Sequence, residues 1–148
     1  DDSQDVIFAA YNDAGDLVGL AIAAQAMGYQ DVIELIYGYA PDSQSITGIK
    51  ILKSRETPGL GDRIETDEQF LKNFDQLDVR LNSAGDQLAN PLQFVKSGEK
   101  DAGWQIDGIS GATISSQAVA DMLAESTQRW IPLIVDRKQD FLADRKDK

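Results

Sequence analysis

In the stretch DGISGATISSQAV, Asp107 to Val119, four hydroxyl side chains (Ser110, Thr113, Ser115 and Ser116) stand among Gly108, Gly111 and Ala112. An apolar pattern of helical spacing begins just after them. Gly111 and Ala112 leave backbone amides uncovered, and a helix start offers amides and a positive dipole end to an anion. Two chemistries fit these residues. One is a phosphate-binding helix start. The other is a plain turn in which Thr113 or Ser115 caps the helix.

A second stretch, ETPGLGD at Glu56–Asp62, sets one proline and two glycines around a single leucine, between a strand pattern and a helix pattern. Such a loop brings bare backbone close to a flat ligand, with Leu60 as the apolar contact. It serves equally as a structural turn. The Gly59–Leu60–Gly61 triplet is no dinucleotide fingerprint, because no third glycine follows at the required place. Ser97–Lys100, SGEK, has the S-x-x-K spacing of penicillin-interacting serine enzymes, but the S-D-N and K-T-G elements that accompany it there are missing.

Composition narrows the chemistry further. The 148 residues include no cysteine and no histidine. Thiol catalysis, disulfides, Cys/His zinc sites and Ser-His-Asp arrangements are therefore excluded. No metal ligand set and no catalytic group stands out. The net charge is −11, from 25 acidic and 14 basic residues. That balance repels phosphate backbones and argues against nucleic acid as a partner. No apolar run approaches the roughly 20 residues of a membrane span. The first residue is Asp1, which leads us to expect an N-terminal segment upstream, removed or missing here.

The elements that must position these stretches can be read from periodicity. Val6–Tyr11, a turn at Asn12–Asp16 and Leu17–Met27 read as a hairpin, although the alanines leave the second arm ambiguous with helix. Asp31–Ala40 and Ile46–Leu52 alternate around a turn at Pro41–Ser45, giving four antiparallel strands before residue 55. Thr66 reads as an N-cap for an amphipathic helix over about 66–77, carrying Phe70, Leu71, Phe74 and Leu77. Val79–Leu81 reads as a short strand, and Leu92–Lys96 with Gly103–Asp107 as a last hairpin. A second helix carries Val119, Met122 and Leu123. Pro132 marks a break, and Leu133–Phe141 reads as a third helix ahead of a polar tail. The fold class is thus α+β: one domain over 1–148, an antiparallel β-sheet of hairpins packed with two to three helices. Its core spans about 6–130, with a helical extension over 131–148.

The D-x-x-S-G-A-T pattern of Asp107–Thr113 resembles the attachment motif of the FMN-binding domain family. The segment ITGIKILKSRETPGLGDRIE, Ile46–Glu65, is similar to one branch of it. That branch contains the G subunit of the Rnf electron-transport complex and the C subunit of the sodium-translocating NADH:quinone oxidoreductase. The preceding GYQDVIELIYGYAPDSQSITG fits the same branch, and the resemblance covers about residues 28–125. It does not extend to the branch's N-terminal membrane helix or to the segment past about 130.

The resemblance implies FMN as the cofactor, joined through its phosphate to the Thr113 hydroxyl by a flavin transferase. It implies an electron-transfer subunit of a membrane redox complex rather than a self-sufficient enzyme. The other subunits would be its partners, and the periplasmic face of the inner membrane its place, with the membrane reached only through a missing N-terminal anchor. In this reading Ser110, Gly111, Ala112, Ile114 and Ser115 surround the linkage. Glu56, Thr57, Gly59, Leu60 and Gly61 form the loop near the ring. Trp104 is either a cover for the ring or a core tryptophan, and Asp107 is either read by the transferase or a turn-starting residue. A flavin-dependent reductase and a flavin-free acidic interaction module are the alternatives.

Overall fold

The computed structural model describes residues 7–137. Strands β1 (Ile7–Tyr11), β2 (Leu17–Met27), β3 (Val32–Ala40), β4 (Ser45–Lys53) and β5 (Leu77–Asp78) form one antiparallel sheet in chain order. The first turn is closed by Asn12, whose side-chain oxygen accepts the Asp16 amide, and by Gly15 in the left-handed region at φ 86°. The alanines of β2 do not make it helical. It is paired on both sides, Ile22 with Ile7 and with Tyr37, and the ladder outweighs local propensity.

One sheet face is apolar. Leu20, Ile22, Ile33, Leu35, Tyr37, Tyr39 and Ile46 are buried there. Helix α2 (Thr113–Asp136) packs on the same core through Val119, Ala120, Met122, Leu123, Ile131 and Ile134. The Tyr37 hydroxyl and the Ser126 hydroxyl, 2.6 Å apart, tie helix to sheet. Burial pushes the Tyr37 phenol above its ordinary value, so it stays neutral.

Four expectations are corrected. The helix expected over 66–77 is α1, only Glu68–Lys72, capped by Asp67 and not by Thr66. Asp67 Oδ1 accepts the Phe70 amide, whereas the Thr66 amide closes the preceding 3-10 turn (Gly61–Glu65) on Arg63 O. Asn73 is the C-cap of α1, and its side-chain amide donates to Phe70 O and to Asp107 O, tying the helix end to the chain segment at Asp107. Phe74 and Leu77 still reach the core. The strand expected at Val79–Leu81 lies earlier, as β5, and Leu81 makes a single bridge to Leu88.

Strands β6 (Gln93–Val95) and β7 (Gln105–Asp107) pair in parallel instead of forming a hairpin. The connection turns twice, at Lys96–Glu99 and at Ala102–Gln105, so the second strand runs the same way as the first. Finally, α2 passes through Pro132 without a break. Proline forfeits one helix hydrogen bond, but Ile131 and Ile134 on either side are buried and hold the last turn on the core. The third helix expected from Leu133 is therefore the end of α2 as far as Asp136. Arg137 is its C-cap, and residues 138–141 of the expected helix, the polar tail and Val6 lie outside the described residues.

Candidate functional site

After β4 the chain enters the ETPGLG loop, and Glu56 is its buried centre at 4% exposure. Its Oε1 accepts the Tyr29 amide at 2.6 Å and the Ser115 hydroxyl at 2.6 Å, and its Oε2 accepts the Gln30 amide at 2.8 Å. Burial pushes the carboxyl up. The Ser115 hydroxyl and the amides of Gln30, Tyr29 and Asp31 outweigh that, so the group is held below its ordinary value. One carboxylate thus ties together the β2–β3 turn, the ETPGLG loop and the first turn of α2.

Two glycines make room for it. A Cβ on Gly28 would sit 2.5 Å from Glu56 Oε1, and one on Gly61 would sit 2.6 Å from Ser115 Oγ and 2.8 Å from Glu56 Cβ. Gly61 is therefore needed for close approach, not for a positive φ. Gly59 does take φ 76°, and its amide donates to Asp62 Oδ1. The Thr57 carbonyl accepts the Leu60 and Asp62 amides, which closes the loop on itself.

The hydroxyl-rich stretch divides into two pairs. Ser115 and Ser116 are buried and engaged with protein groups. Ser115 donates to Glu56, while Ser116 donates to Ala112 O and accepts the Ile109 amide. Ser110 and Thr113 are exposed. Helix α2 begins at Thr113, with Ala112 at the N-cap and no side-chain cap bond. Neither Thr113 nor Ser115 caps it, contrary to the plain-turn reading. The helix carries no acidic residue of its own in the first turn, and the carboxylate nearest to it, Glu56, is taken up by Ser115 and the β2–β3 turn amides.

Thr113 lies in a cleft of about 400 Å³, a volume in the range of small-molecule sites. The ETPGLG loop supplies Thr57, Leu60 and Gly61 to its lining, and the loop and helix start after β7 supply Gly111 through Ser115. Tyr29 supplies the remaining wall. Tyr29, Leu60 and Ile114 are 62%, 52% and 56% exposed, three large apolar groups around one hydroxyl. Such a concentration of exposed apolar surface marks a binding site. Its apolar walls, glycine-lined floor and uncapped helix start fit a flat ring carrying a phosphate.

A second, smaller groove of about 320 Å³ meets the first at Thr113, the one residue lining both. Phe94, Lys96, Ser97 and Ser110 lie on that side. Asp107 is buried beside it. Its backbone bonds with the Asn73 side chain, and its carboxylate accepts the Gly98 amide at 3.2 Å. Trp104 is half-buried against the core and does not line the cleft. The SGEK segment forms the turn after β6. Burial lowers the basicity of Lys100, against the pull of nearby Asp107, and its ammonium donates to Asn73 Oδ1.

Two residues of the site had no counterpart in the sequence reading. Tyr29 carried a faint signal, an aromatic in a turn between two strands. Arg63 carried none. Its guanidinium donates to Leu60 O at 3.2 Å and to Ser110 O at 2.6 Å, bridging both loops.

The model of the FMN-binding domain matches residues 28–128, which include every residue lining the cleft. Among curated relatives, the G subunit of an ion-translocating oxidoreductase complex from Methanosarcina acetivorans is 38% identical over 125 residues, covering 83% of this chain and 58% of that protein. The G subunit of the Na(+)-translocating ferredoxin:NAD(+) oxidoreductase complex of Acetobacterium woodii is 32% identical over 117 residues, covering 77% of this chain and 50% of that protein. The chain thus spans about half the length of the relatives it matches. Among solved structures, the C subunit of the Na(+)-translocating NADH-quinone reductase of Parabacteroides distasonis superposes with a TM-score of 0.70 at 27% identity, covering 86% of this chain and 61% of that one. NqrC of Shewanella oneidensis shares the fold at a TM-score of 0.65 and 24% identity, covering 96% and 61%.

Proposed function

The chain belongs to the FMN-binding domain family, and we propose that it carries FMN as a phosphoester on Thr113 and passes electrons within a membrane redox complex. The observation that carries the linkage is the division of the hydroxyls. Ser115 and Ser116 are committed to Glu56 and to the helix start, and Thr113 stands exposed on α2 at the mouth of the apolar cleft. The electron chemistry is supplied by the flavin itself. The protein's part is to hold and orient it.

Tyr29, Leu60 and Ile114 offer apolar contact to the ring, and Thr57 offers a hydroxyl beside it. The open amides of the first turn of α2 and its dipole favour the phosphodiester charge. Ser110, Gly111 and Ala112 leave Thr113 accessible to a flavin transferase. Glu56 acts behind the site, since its oxygens are already taken by protein donors. Ser115 and Gly61 serve that buried contact, while Gly59 sets the left-handed turn of the loop.

The complex is of the type to which the relatives belong, and its other subunits are the electron-transfer partners. We place the domain on the periplasmic face of the inner membrane, held by an anchor outside this sequence. No helix among the described residues is long and apolar enough to cross a membrane. The test is intact mass after coexpression with a flavin transferase. The wild-type chain gains FMN less one water, and Thr113→Val gains nothing. The valine chain keeps its stability to within about 0.5 kcal/mol, because Thr113 makes no cap bond. Adduct on the valine chain refutes the assignment.

A further inference from the structure

The two loops that define the cleft are joined on its outer side by a single side chain. Arg63 Nε donates to Leu60 O and its Nη2 to Ser110 O. The same Nη2 lies 2.9 Å from the place a Cβ on Gly111 would occupy, and Gly111 holds φ 83° beneath it. Among the described residues no carboxylate lies within ion-pair distance of Arg63, although the chain carries a net charge of −11. Of the five donors of a guanidinium, these two bonds use two. The planar fork sets two different nitrogens, Nε and Nη2, on the two carbonyls at fixed spacing, whereas a lysine has a single rotatable nitrogen and cannot reproduce that spacing.

We propose that Arg63 is the positioning residue of the attachment loop: by clipping the Ser110 carbonyl to the Leu60 carbonyl it holds Thr113 in register with the cleft wall, and thereby sets the rate of flavin attachment and the orientation of the attached ring. The inner side of the same junction is already fixed by the bond of Ser115 to Glu56. With both in place the loop is pinned at Ser110 and at Ser115, and Thr113 lies between. Without Arg63 the outer pin is lost, and Gly111, the most permissive residue of the loop, becomes its hinge. The loop part of this stands on the structure alone. The flavin part rests on the FMN reading above.

The experiment uses the full chain in three forms, wild type, Arg63→Ala and Arg63→Lys. In the flavin-free proteins, hydrogen exchange of the two bonded amides of the loop and helix start, Ala112 (to Ile109 O) and Ser116 (to Ala112 O), is followed beside that of β2 and β3. In Arg63→Ala the loop amides exchange at least about tenfold faster while the strand amides are unchanged, the loss expected for one bond from a charged donor. With a flavin transferase added, attachment to Arg63→Ala is slowed by a similar factor, and the visible circular dichroism of the attached flavin changes. Arg63→Lys, which keeps the charge but not the fork, resembles Arg63→Ala in both. Wild-type exchange rates in Arg63→Ala overturn the clip. Wild-type attachment rate and dichroism in a chain whose loop does exchange faster overturn the orienting role. A wild-type chain that takes up no flavin at all refutes the FMN reading and leaves the exchange result to decide the clip.

Discussion

Replacing Glu56 by glutamine changes one atom and leaves the shape almost intact, so its effect isolates the charge and acceptor pattern. In the wild-type chain the carboxylate accepts two amides and one hydroxyl at 2.6–2.8 Å. A bond to a charged group contributes about 1.5–3 kcal/mol and a neutral one about 0.5–1.5 kcal/mol. Glutamine can keep its carbonyl oxygen toward Tyr29 and Ser115, each bond weakened to the neutral kind. Its NH₂ then faces the Gln30 amide, donor against donor. Gln30 is exposed, so water recovers part of that loss. The sum is a destabilisation of about 3 kcal/mol, which lowers the melting temperature by roughly 10 °C in a domain of this size.

The pH dependence gives an independent check with a definite sign. Because the folded Glu56 holds its proton less tightly than the unfolded chain does, its contribution is fully present above the unfolded value of about 4.3 and is lost as pH falls through the folded value. Glutamine has no such dependence. Denaturant melts at pH 7 and at stepwise lower pH should therefore show the gap between the two chains narrowing below about pH 4.5. A variant within about 0.5 kcal/mol of wild type at pH 7, with a parallel pH profile, would show that the carboxylate does not hold the three elements in solution.

Two further substitutions separate scaffold from ligand contact. Gly61→Val places carbon atoms within 3 Å of Ser115 Oγ and Glu56 Cβ, so it should cost about 1–3 kcal/mol in a urea melt as well as disturbing the flavin spectrum; a normal melt would mean that the junction yields freely. Tyr29→Ala, at an exposed position on the cleft wall, should leave the melt within about 0.5 kcal/mol of wild type and shift the visible absorbance of the attached flavin. An unshifted spectrum would remove Tyr29 from the ring contacts.

The parts legible in the sequence are those whose signal is local. Alternation gave β3 and β4, and turn chemistry at Asn12–Gly15 gave the first hairpin. Where a distant group decided the outcome, periodicity misled. Phe70, Phe74 and Leu77 are all core residues, as their spacing implied, but only the first lies in α1. The helix stops at its C-cap Asn73, whose side chain bonds the Asp107 carbonyl, a partner 34 residues away. The direction of β7 was likewise set by two tight turns, which a hydrophobic pattern cannot register. For the site, the two motifs pointed through resemblance to residues that the fold brings to one cleft, but not that Glu56 faces inward. A carboxylate in a glycine-rich loop reads as a polar contact for a ligand. Its real partners, Tyr29, Gln30 and Ser115, lie 26 to 59 residues away and carry no mark of the pairing.

The same long-range bonds bear on how a tethered cofactor can work. A flexible linkage lets its cargo sweep many positions, whereas electron transfer at a fixed edge needs a defined one. Thr113 is the first residue of a 24-residue helix, not a loop tip. That helix is anchored to the sheet at Ser126 by Tyr37 and to the cleft floor at Ser115 by Glu56. On the other side, β7 is fixed at Asp107 by Asn73 and through the Gly98 amide. Five residues, Gly108 to Ala112, span the gap between these two fixed ends, and Ser116 and Arg63 bond within it. Groups mounted on regular elements are placed more accurately than groups on free loops. A flavin joined to Thr113, as proposed, would therefore be limited at its attachment point before any contact with the ring is made. The apolar walls would then have only to select among orientations that the helix already permits.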